Sequence, residues 1–384
     1  MTMKKYIRNI LLLSLVVNSS VCFSQDWSGN SRIRVENHQT ENEIYNYNKD
    51  SQLNSTNRSR LGIEWSGDKW SMNMIGNHYY KFQDGGDDLN STGNASVYEA
   101  SISTELPFGI TLSAGRMALN YGDGRIIGND NWGNIGRTHD GFVIRYEYED
   151  YLKIDIGTDA VKRDSNKDWA YVYISREVDN LNIDGAYLIT NEEINYAKNT
   201  MGIALDFNTM DSKLDLGFDY WNQTWYETAN VENKDETAGL MAISIDYTLN
   251  EKISIGGGMD MFSETNGGTW NASWGDYHQF NGAMDVAERF LQEEIAPEEF
   301  EVVGTWNDMY FNLGYDLDSW GLVGLAYHMM SDDENEELGG NEIDISLTNT
   351  LNDHINYGFG YSMFTPNDDS DSSSWMYLQI SATP

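Results

Sequence analysis

The sequence predicts an all-β fold, a transmembrane up-and-down antiparallel β-barrel of about 18 strands, with about 16 as the fallback count. Three observations predict it. Short segments of alternating apolar and polar residues recur along the chain. The connections between them are in turn short and long, which is typical of outer-membrane barrels. No segment after residue 25 approaches the ~20 consecutive apolar residues that a membrane-spanning helix needs.

The N-terminus predicts export from the cytoplasm. Lys4, Lys5 and Arg8 precede an apolar run at 10–17, and small residues follow it. This is the pattern of a signal peptide, too short to be a membrane anchor. We therefore expect a signal peptide over 1–24 and a barrel with inward-folded loops over 25–384, located in the outer membrane of a Gram-negative cell. The one cysteine lies in the signal peptide, so disulfides and thiolate metal sites are not expected.

The first six strands have the clearest faces. In 31–36, Ile33 and Val35 alternate with charged residues, and in 58–65 and 141–148 apolar residues alternate with arginine and glutamate. We expect the apolar face to meet lipid, because an arginine facing lipid near the bilayer midplane costs about 2–4 kcal/mol. These strands are predicted at 27–37, 57–66, 69–83, 96–105, 110–119 and 139–149.

The bounds of the middle strands follow from the turns and loops between them. Asp150, Asp179-Asn180 and Asn250-Glu251 are tight turns, whereas the connections 225–236 and 264–305 are long. Tight turns belong on the periplasmic side and long loops outside. These strands are predicted at 151–159, 168–178, 181–190, 199–208, 213–224, 237–249 and 252–263.

The last strands close the barrel. Asp318-Ser319 and Asn352-Asp353 are tight turns, and Trp375 and Tyr377 stand near a strand end, where aromatic girdles are expected. These strands are predicted at 306–316, 320–330, 340–350, 354–364 and 374–383. An even strand count leaves both termini in the periplasm. Between the middle and last groups, apolar residues at helical spacing over 283–295 predict a short helix, packed on a loop or acting as a lid over the mouth.

The composition argues against several classes of function. A formal net charge of −37 is unsuited to nucleic-acid binding. The six histidines lack the spacing of a metal site, and no nucleophile elbow is present. We therefore predict no enzyme, no cofactor and no metal centre. The acidic connections are either a solvated surface or a means of bridging to lipopolysaccharide through divalent cations.

Arginine is concentrated in the first part of this acidic chain. Two interpretations are open. The arginines could brace the barrel interior by pairing with Glu36, Glu64 and Glu147, or they could form a basic track for anionic solutes, since guanidinium groups match carboxylates and phosphates. The arginines concerned are Arg32, Arg34, Arg58, Arg60, Arg116, Arg125, Arg137 and Arg145.

Three blocks of sequence resemble the alginate export family of outer-membrane proteins, in its Bacteroidetes-type members. The first combines Gly115-Arg116, Asn120 to Asp123, Arg125 to Gly128, Trp132, Gly136-Arg137, Asp140-Gly141 and Arg145. The second is His278, Phe280 to Gly282 and Met284-Asp285. The third is the closing strand, Trp375 to Ile380, with the terminal Pro384.

The resemblance implies a monomeric barrel that passes an anionic polysaccharide or oligosaccharide through an arginine-lined constriction. It implies periplasmic export components as further partners, beside outer-membrane lipid. By position, the implied pore-lining residues are Arg116, Arg125, Arg137 and Arg145 with Asp123 and Asp140. Arg32, Arg34, Arg58 and Arg60 are expected to extend the positive wall. The alternatives are a general porin for small solutes and a structural or adhesive barrel with acidic surface loops.

Overall fold

The protein, described here from a computed structural model, is a closed antiparallel barrel of 18 strands, as the sequence predicts. The predicted signal peptide lies outside the described residues, apart from Ser24, and so does the predicted helix beyond Val286. The structure describes residues 24–39, 53–82, 94–149, 151–159, 169–193, 196–209, 211–227, 233–266, 268, 270–271, 274–276, 278–286, 305–332, 339–368 and 371–384.

The strands are long and follow one another around the wall. Their bounds are β1 Ser24–Gln39, β2 Leu53–Ser66, β3 Trp70–Phe82, β4 Asn94–Leu106, β5 Ile110–Met117, β6 His139–Tyr148, β7 Leu152–Asp159, β8 Trp169–Val178, β9 Leu181–Glu193, β10 Tyr196–Thr209, β11 Leu214–Glu227, β12 Asn233–Asn250, β13 Ile253–Thr265, β14 Trp306–Asp316, β15 Leu322–Ser331, β16 Gly339–Asn352, β17 Ile355–Pro366 and β18 Ser373–Ala382.

The first and last strands close the sheet. Ile33 of β1 pairs with Ile380 of β18 on one side and with Asn57 of β2 on the other. Every other strand pairs with its neighbours in sequence, so the connections are up-and-down throughout. Closure matters because it leaves no backbone N–H or C=O group unpaired at a sheet edge.

Apart from the two-residue connection between β9 and β10, the shortest turns lie at one end of the barrel. They include 67–69, 107–109, 179–180, 251–252 and 353–354. By the rule that short turns face the periplasm, both chain ends described here lie on the periplasmic side. One hairpin departs from the predicted pattern: β9 and β10 extend to Glu193 and Tyr196, so most of the connection predicted between 190 and 199 is strand.

The outer wall carries a belt of exposed apolar side chains. Leu61 is 63% exposed, Ile102 57% and Phe311 55%. Alternation within each strand turns these residues outward and their neighbours inward. Such a belt is stable only in lipid, and with the strand number it places the barrel in an outer membrane. No helix in the described ranges is long and apolar enough to span a membrane.

The largest cluster of buried apolar residues lies inside the barrel. Ile127 and Trp270, which lie in connections, are 1% exposed, as is Leu240 on β12, and Trp306 on β14 is fully buried. These residues belong to one cluster, formed between inward-facing wall side chains and the connections 118–138 and 266–286. Part of each connection therefore packs within the lumen, and we call these segments the first and second inward loops.

Candidate solute pathway

The first inward loop, residues 118–138, leaves β5 and turns back into the barrel. Its backbone adopts positive φ at Gly122 (56°) and Gly124 (84°), a conformation that glycine adopts without strain. Tyr121 fastens the start of the loop, because its hydroxyl donates to Asp155 of β7 (2.8 Å) and lies 2.7 Å from the hydroxyl of Tyr171.

The described residues of the second inward loop, within 266–286, are held from two sides. The carbonyl of Asn271 accepts hydrogen bonds from Lys198 Nζ of β10 and Gln223 Nε2 of β11, each 2.7 Å long. At its other end, the backbone N–H of Met284 donates to Glu342 of β16 (2.8 Å), a glutamate with no exposed surface. Each contact satisfies a polar group that burial would otherwise penalise.

The two loops meet inside the lumen. Ile127 and Trp274 form a parallel β-bridge, and the N–H of Gly128 donates to the Trp274 carbonyl (2.6 Å). The N–H of Asp276 donates to the Gly124 carbonyl (2.9 Å), and Arg137 Nη1 donates to that of Gly275 (2.5 Å). The loops thus form one hydrogen-bonded partition attached to several parts of the wall, and this partition narrows the lumen.

Arg32 and Arg58 point into the lumen from β1 and β2, where they are paired directly across the two strands. Both donate to backbone carbonyls of the first inward loop. Arg58 Nη1 lies 2.7 Å from the Asn131 carbonyl and 2.9 Å from that of Gly133, and Arg32 Nη2 lies 3.1 Å from the latter. In the described part of the chain neither forms an ion pair with a carboxylate.

Arg34 and Arg60 flank this pair and hold the same loop. Arg34 Nη2 donates to the carbonyl of Trp132 (2.8 Å), and its guanidinium carbon lies 3.7 Å above the indole ring. Arg60 Nη2 donates to the carbonyl of Ile135 (3.0 Å). Among the four arginines of β1 and β2, and within the described residues, only Arg34 has a carboxylate partner of the predicted kind, Glu36 at 3.5 Å. The bracing interpretation expected glutamates as the partners of these arginines. Their main partners are instead backbone carbonyls of the first inward loop.

Arg125 lies within the first inward loop among three aspartates. Its distances are 2.6 Å to Asp260 of β13, 3.1 Å to Asp219 of β11 and 3.5 Å to Asp123. Burial alone would lower the pKa of Arg125, but these carboxylates, Asp260 foremost, raise that pKa above its ordinary value. Arg125 is a neutralised brace between the loop and the far wall.

Arg145 and Arg137 also have partners within the barrel. Arg145 binds Asp155 of β7, with Nη2 2.9 Å from Oδ2, and lies 3.9 Å from the predicted partner Glu147. Arg137 joins the two loops through the Gly275 carbonyl. Asp123, besides facing Arg125, accepts a hydrogen bond at its backbone carbonyl from Gln279 of the second loop. A role for any of these residues in contacting a solute stays a prediction.

The expectation that Arg116 and Asp140 line the lumen is wrong. Their neighbours Met117 and Val143 are buried in the interior cluster, so alternation turns Arg116 and Asp140 to the outside with Phe142. Sequence alternation already places Asp140 on the face of Phe142 and opposite Arg145. The match to the family motif placed these two residues in the lumen, although strand alternation predicted the outer face.

Two cavities lie at the partition, and Gln279 and His278 line both. The basic cavity, about 400 Å³, is bounded by Arg32 and Arg58 together with Asn30, Asn131, Trp132, Asp276, Gln379 and Ser381. The acidic cavity, about 520 Å³, contains Arg125 and His328 among six aspartates: Asp123, Asp206, Asp219, Asp246, Asp260 and Asp344. Strands β1 and β10 are nine strands apart in either direction, so the basic and acidic walls face each other.

Sequence reasoning missed the acidic wall. Asp219, Asp260, Asp308 and Asp344 are inward-facing residues of β11, β13, β14 and β16, and none was singled out among so many carboxylates. Side-chain alternation within the strands could have identified these aspartates. Within each of these strands the aspartate occupies the face opposite to exposed apolar residues such as Met309 and Ile345.

His278 of the second loop joins the partition to an aromatic cluster. Its ring stacks on Trp132 with centroids 4.3 Å apart, and its Nδ1 lies 3.0 Å from Asp285 Oδ1. Burial by itself lowers the pKa of His278, but the Asp285 carboxylate outweighs burial and raises that pKa above 6.5. The pair therefore stabilises the docked loop fully below pH 6.5, and this contribution fades as pH rises through the elevated pKa.

We expect Asp285→Asn to lower the pKa of His278, because it removes the opposing charge. Proton NMR titration of histidine ring signals in micelles measures this directly. Asp371→Asn, a change at an exposed aspartate in another connection, is the matched control. An unchanged His278 pKa in Asp285→Asn would contradict the ion pair.

The solved structures that resemble this chain have the same fold. No family model and no curated protein matches the chain. Among solved structures, Acinetobacter baumannii OccAB4 has a TM-score of 0.65 at 11% identity, with 94% of this chain and 98% of that chain covered. Pseudomonas aeruginosa OccK8 (OprE) has 0.64 at 12%, and OpdK of the same organism with vanillate has 0.63 at 13%, each with the same 94% and 98% coverage.

At these identities the likeness establishes the fold alone, which is that of outer-membrane porins with 18 strands. None of these comparisons shows the alginate export family, so membership of that family stays a prediction.

Proposed function

We propose that the protein is a passive outer-membrane channel for small polar solutes, in which the two inward loops set the size and charge of the path. The observation that supports this best is the partition itself. Two loops from distant parts of the chain are hydrogen-bonded to each other and to several wall strands at the point where the basic and acidic walls face each other. No catalytic step is part of the proposal.

The dimensions favour small solutes over a polymer. The two cavities, about 400 and 520 Å³, fall in the range of small-molecule sites. A polyanion passing the partition would also meet six aspartates, which would repel it. The anionic polysaccharide and a periplasmic export partner are thus the weaker candidates. Because one chain closes the barrel, a single protomer is sufficient for the channel.

The charge of the basic cavity suggests which solutes bind there. Arg32 and Arg58 line this cavity, and in the described structure neither has a carboxylate partner. A carboxylate or another small anion in the cavity is therefore stabilised by two positive charges that no side chain in the described ranges neutralises. The OpdK structure contains vanillate, a small carboxylate, which makes organic acids a sensible first class to test.

The test combines Arg32→Gln with Arg58→Gln. We expect the swelling rate of proteoliposomes in small organic acid salts to fall, because the anion loses its binding groups, while the rate for a neutral sugar of similar size is retained. Arg32→Lys with Arg58→Lys should preserve more of the anion flux, since it keeps both charges. Arg176→Gln, at an exposed arginine on β8, is the control.

Two results would count against this proposal. If the double variant Arg32→Gln with Arg58→Gln lowers the flux of the organic acid and of the sugar equally, then Arg32 and Arg58 only hold the first inward loop. If the wild-type protein conducts no ions in planar bilayers, the barrel is filled, and the structural or adhesive alternative with acidic surface loops takes its place.

A further inference from the structure

We propose that Arg116 and Asp140 form part of a lipid-binding site on the outer wall, which receives a phosphate group of lipopolysaccharide from the outer leaflet. The site is separate from the lumen, so it does not rest on the proposed transport function. Its basis is an ion pair in an unusual place: the membrane-facing side of a barrel whose other outward residues are mostly apolar.

The outward direction of the pair follows from its neighbours. Across the strands, Ala114 pairs with Ile102 on one side and with Phe142 on the other. Ile102 is 57% exposed and Phe142 50%, which identifies the lipid-facing side. Arg116 is two residues from Ala114 and pairs with Asp140, so both side chains lie on this same outer face.

The geometry of the pair is bidentate. Arg116 Nε lies 2.7 Å from Asp140 Oδ1, and Nη2 lies 2.6 Å from Oδ2. Arg116 Nη1 donates to the carbonyl of Val97 (3.1 Å). These contacts use three of the five N–H groups of a guanidinium, and 35% of the Arg116 side chain is still exposed on the outer surface. The remaining donors can therefore be reached from the membrane.

At its depth in the membrane, the ion pair is energetically unfavourable unless another polar group interacts with it. Arg116 is the seventh of eight residues of β5, about 15 Å above the periplasmic end for a strand tilted by roughly 40°. The apolar belt of such barrels is about 25 Å tall, which puts the pair in its outer half. On β10, the lipid-facing residues Met201 and Ile203 in the same half are apolar, being 52% and 43% exposed.

A depression in the wall adjoins the pair. It has a volume of about 460 Å³ and is lined by Arg116, Asp140, Val97, Ala100, Phe142, Gly115 and Gly141. Its walls are apolar or small on one side and charged on the other, which suits a lipid whose phosphate meets Arg116 while an acyl chain fills the remainder. Because the pair lies towards the end of the barrel opposite to the short periplasmic turns, the accessible leaflet is the outer one, where lipopolysaccharide is the phosphate-bearing lipid.

The test measures the rise in melting temperature that purified lipopolysaccharide produces in detergent-solubilised protein. We expect a rise for the wild type that is lost in Arg116→Met with Asp140→Leu. In detergent without lipid the double variant should melt close to the wild type, because apolar replacement of both partners leaves no unpaired charge. Arg116→Lys should retain part of the rise.

The control is the ion pair between Lys252 and Asp318, which are 2.6 Å apart on periplasmic turns. Lys252→Met with Asp318→Leu should leave the rise unchanged. If the Arg116/Asp140 double variant keeps the full rise, the site is overturned. If phosphatidylglycerol gives the wild type the same rise, the assignment to lipopolysaccharide is overturned. Should the double variant fail to fold, native mass spectrometry of Arg116→Lys and Arg116→Gln decides, since a structural pair would leave the number of bound lipopolysaccharide molecules unchanged.

Discussion

Replacing residues 129–136 with a short Gly-Ser linker is expected to raise single-channel conductance several-fold in planar bilayers. This segment contains the carbonyls to which Arg32 and Arg58 donate, and its removal detaches the first inward loop from the β1–β2 wall. Barrels of this strand number enclose a water-filled channel unless loops occupy it, so conductance is limited at the partition.

The control for this experiment keeps the length of the loop. Substituting Gly and Ser for residues 129–136 one for one removes the side chains without shortening the chain. It should give an intermediate and noisier conductance, since the backbone carbonyls remain but the packing of Trp132 against His278 is lost. Equal conductance in the wild type and the linker variant would show that the narrowest point lies elsewhere.

Arg125→Ala is expected to shift ion selectivity strongly towards cations. The change leaves Asp123, Asp219 and Asp260 facing one another without their shared counter-ion. Breaking a buried ion pair by removing one partner typically costs about 3–5 kcal/mol, which here would also loosen the loop from the β11–β13 wall. The reversal potential across a KCl gradient measures selectivity, and current noise reports on loop motion.

Two comparisons sharpen this experiment. Arg125→Lys restores a charge and should recover most of the wild-type reversal potential. Raising the salt concentration should weaken the cation preference of Arg125→Ala, because counter-ions screen the uncompensated negative charge. A wild-type reversal potential in Arg125→Ala, combined with a lower melting temperature, would show that Arg125 only braces the loop.

The strands could be predicted because their signal is local. Period-two alternation and tight turns such as Asp179-Asn180 are sufficient to give the number of strands, and in 58–65 and 141–148 the alternation also gives the face of each residue. The one place where a family motif was set above this alternation, at Arg116 and Asp140, is where the structure gives the opposite face.

The partners of the arginines could not be predicted in this way. Arg58 binds carbonyls of Asn131 and Gly133, and Arg125 binds Asp260, a residue 135 positions away. Glu36, Glu64 and Glu147 were the nearest carboxylates in sequence, but Glu64 has no arginine partner in the described structure. Pairing in the lumen depends on where a loop crosses the barrel, which its own sequence does not reveal.

By itself, then, the sequence determined the class of fold, the order of the strands and the lipid-facing side of the wall, because each follows from side-chain alternation and turn chemistry between near neighbours. Only the tertiary structure decided that the arginines of β1 and β2 lie across the lumen from the aspartates of β10 to β13. It also decided that these arginines donate to backbone carbonyls of the first inward loop. These features depend on closing the sheet, which brings residues far apart in sequence within hydrogen-bond distance.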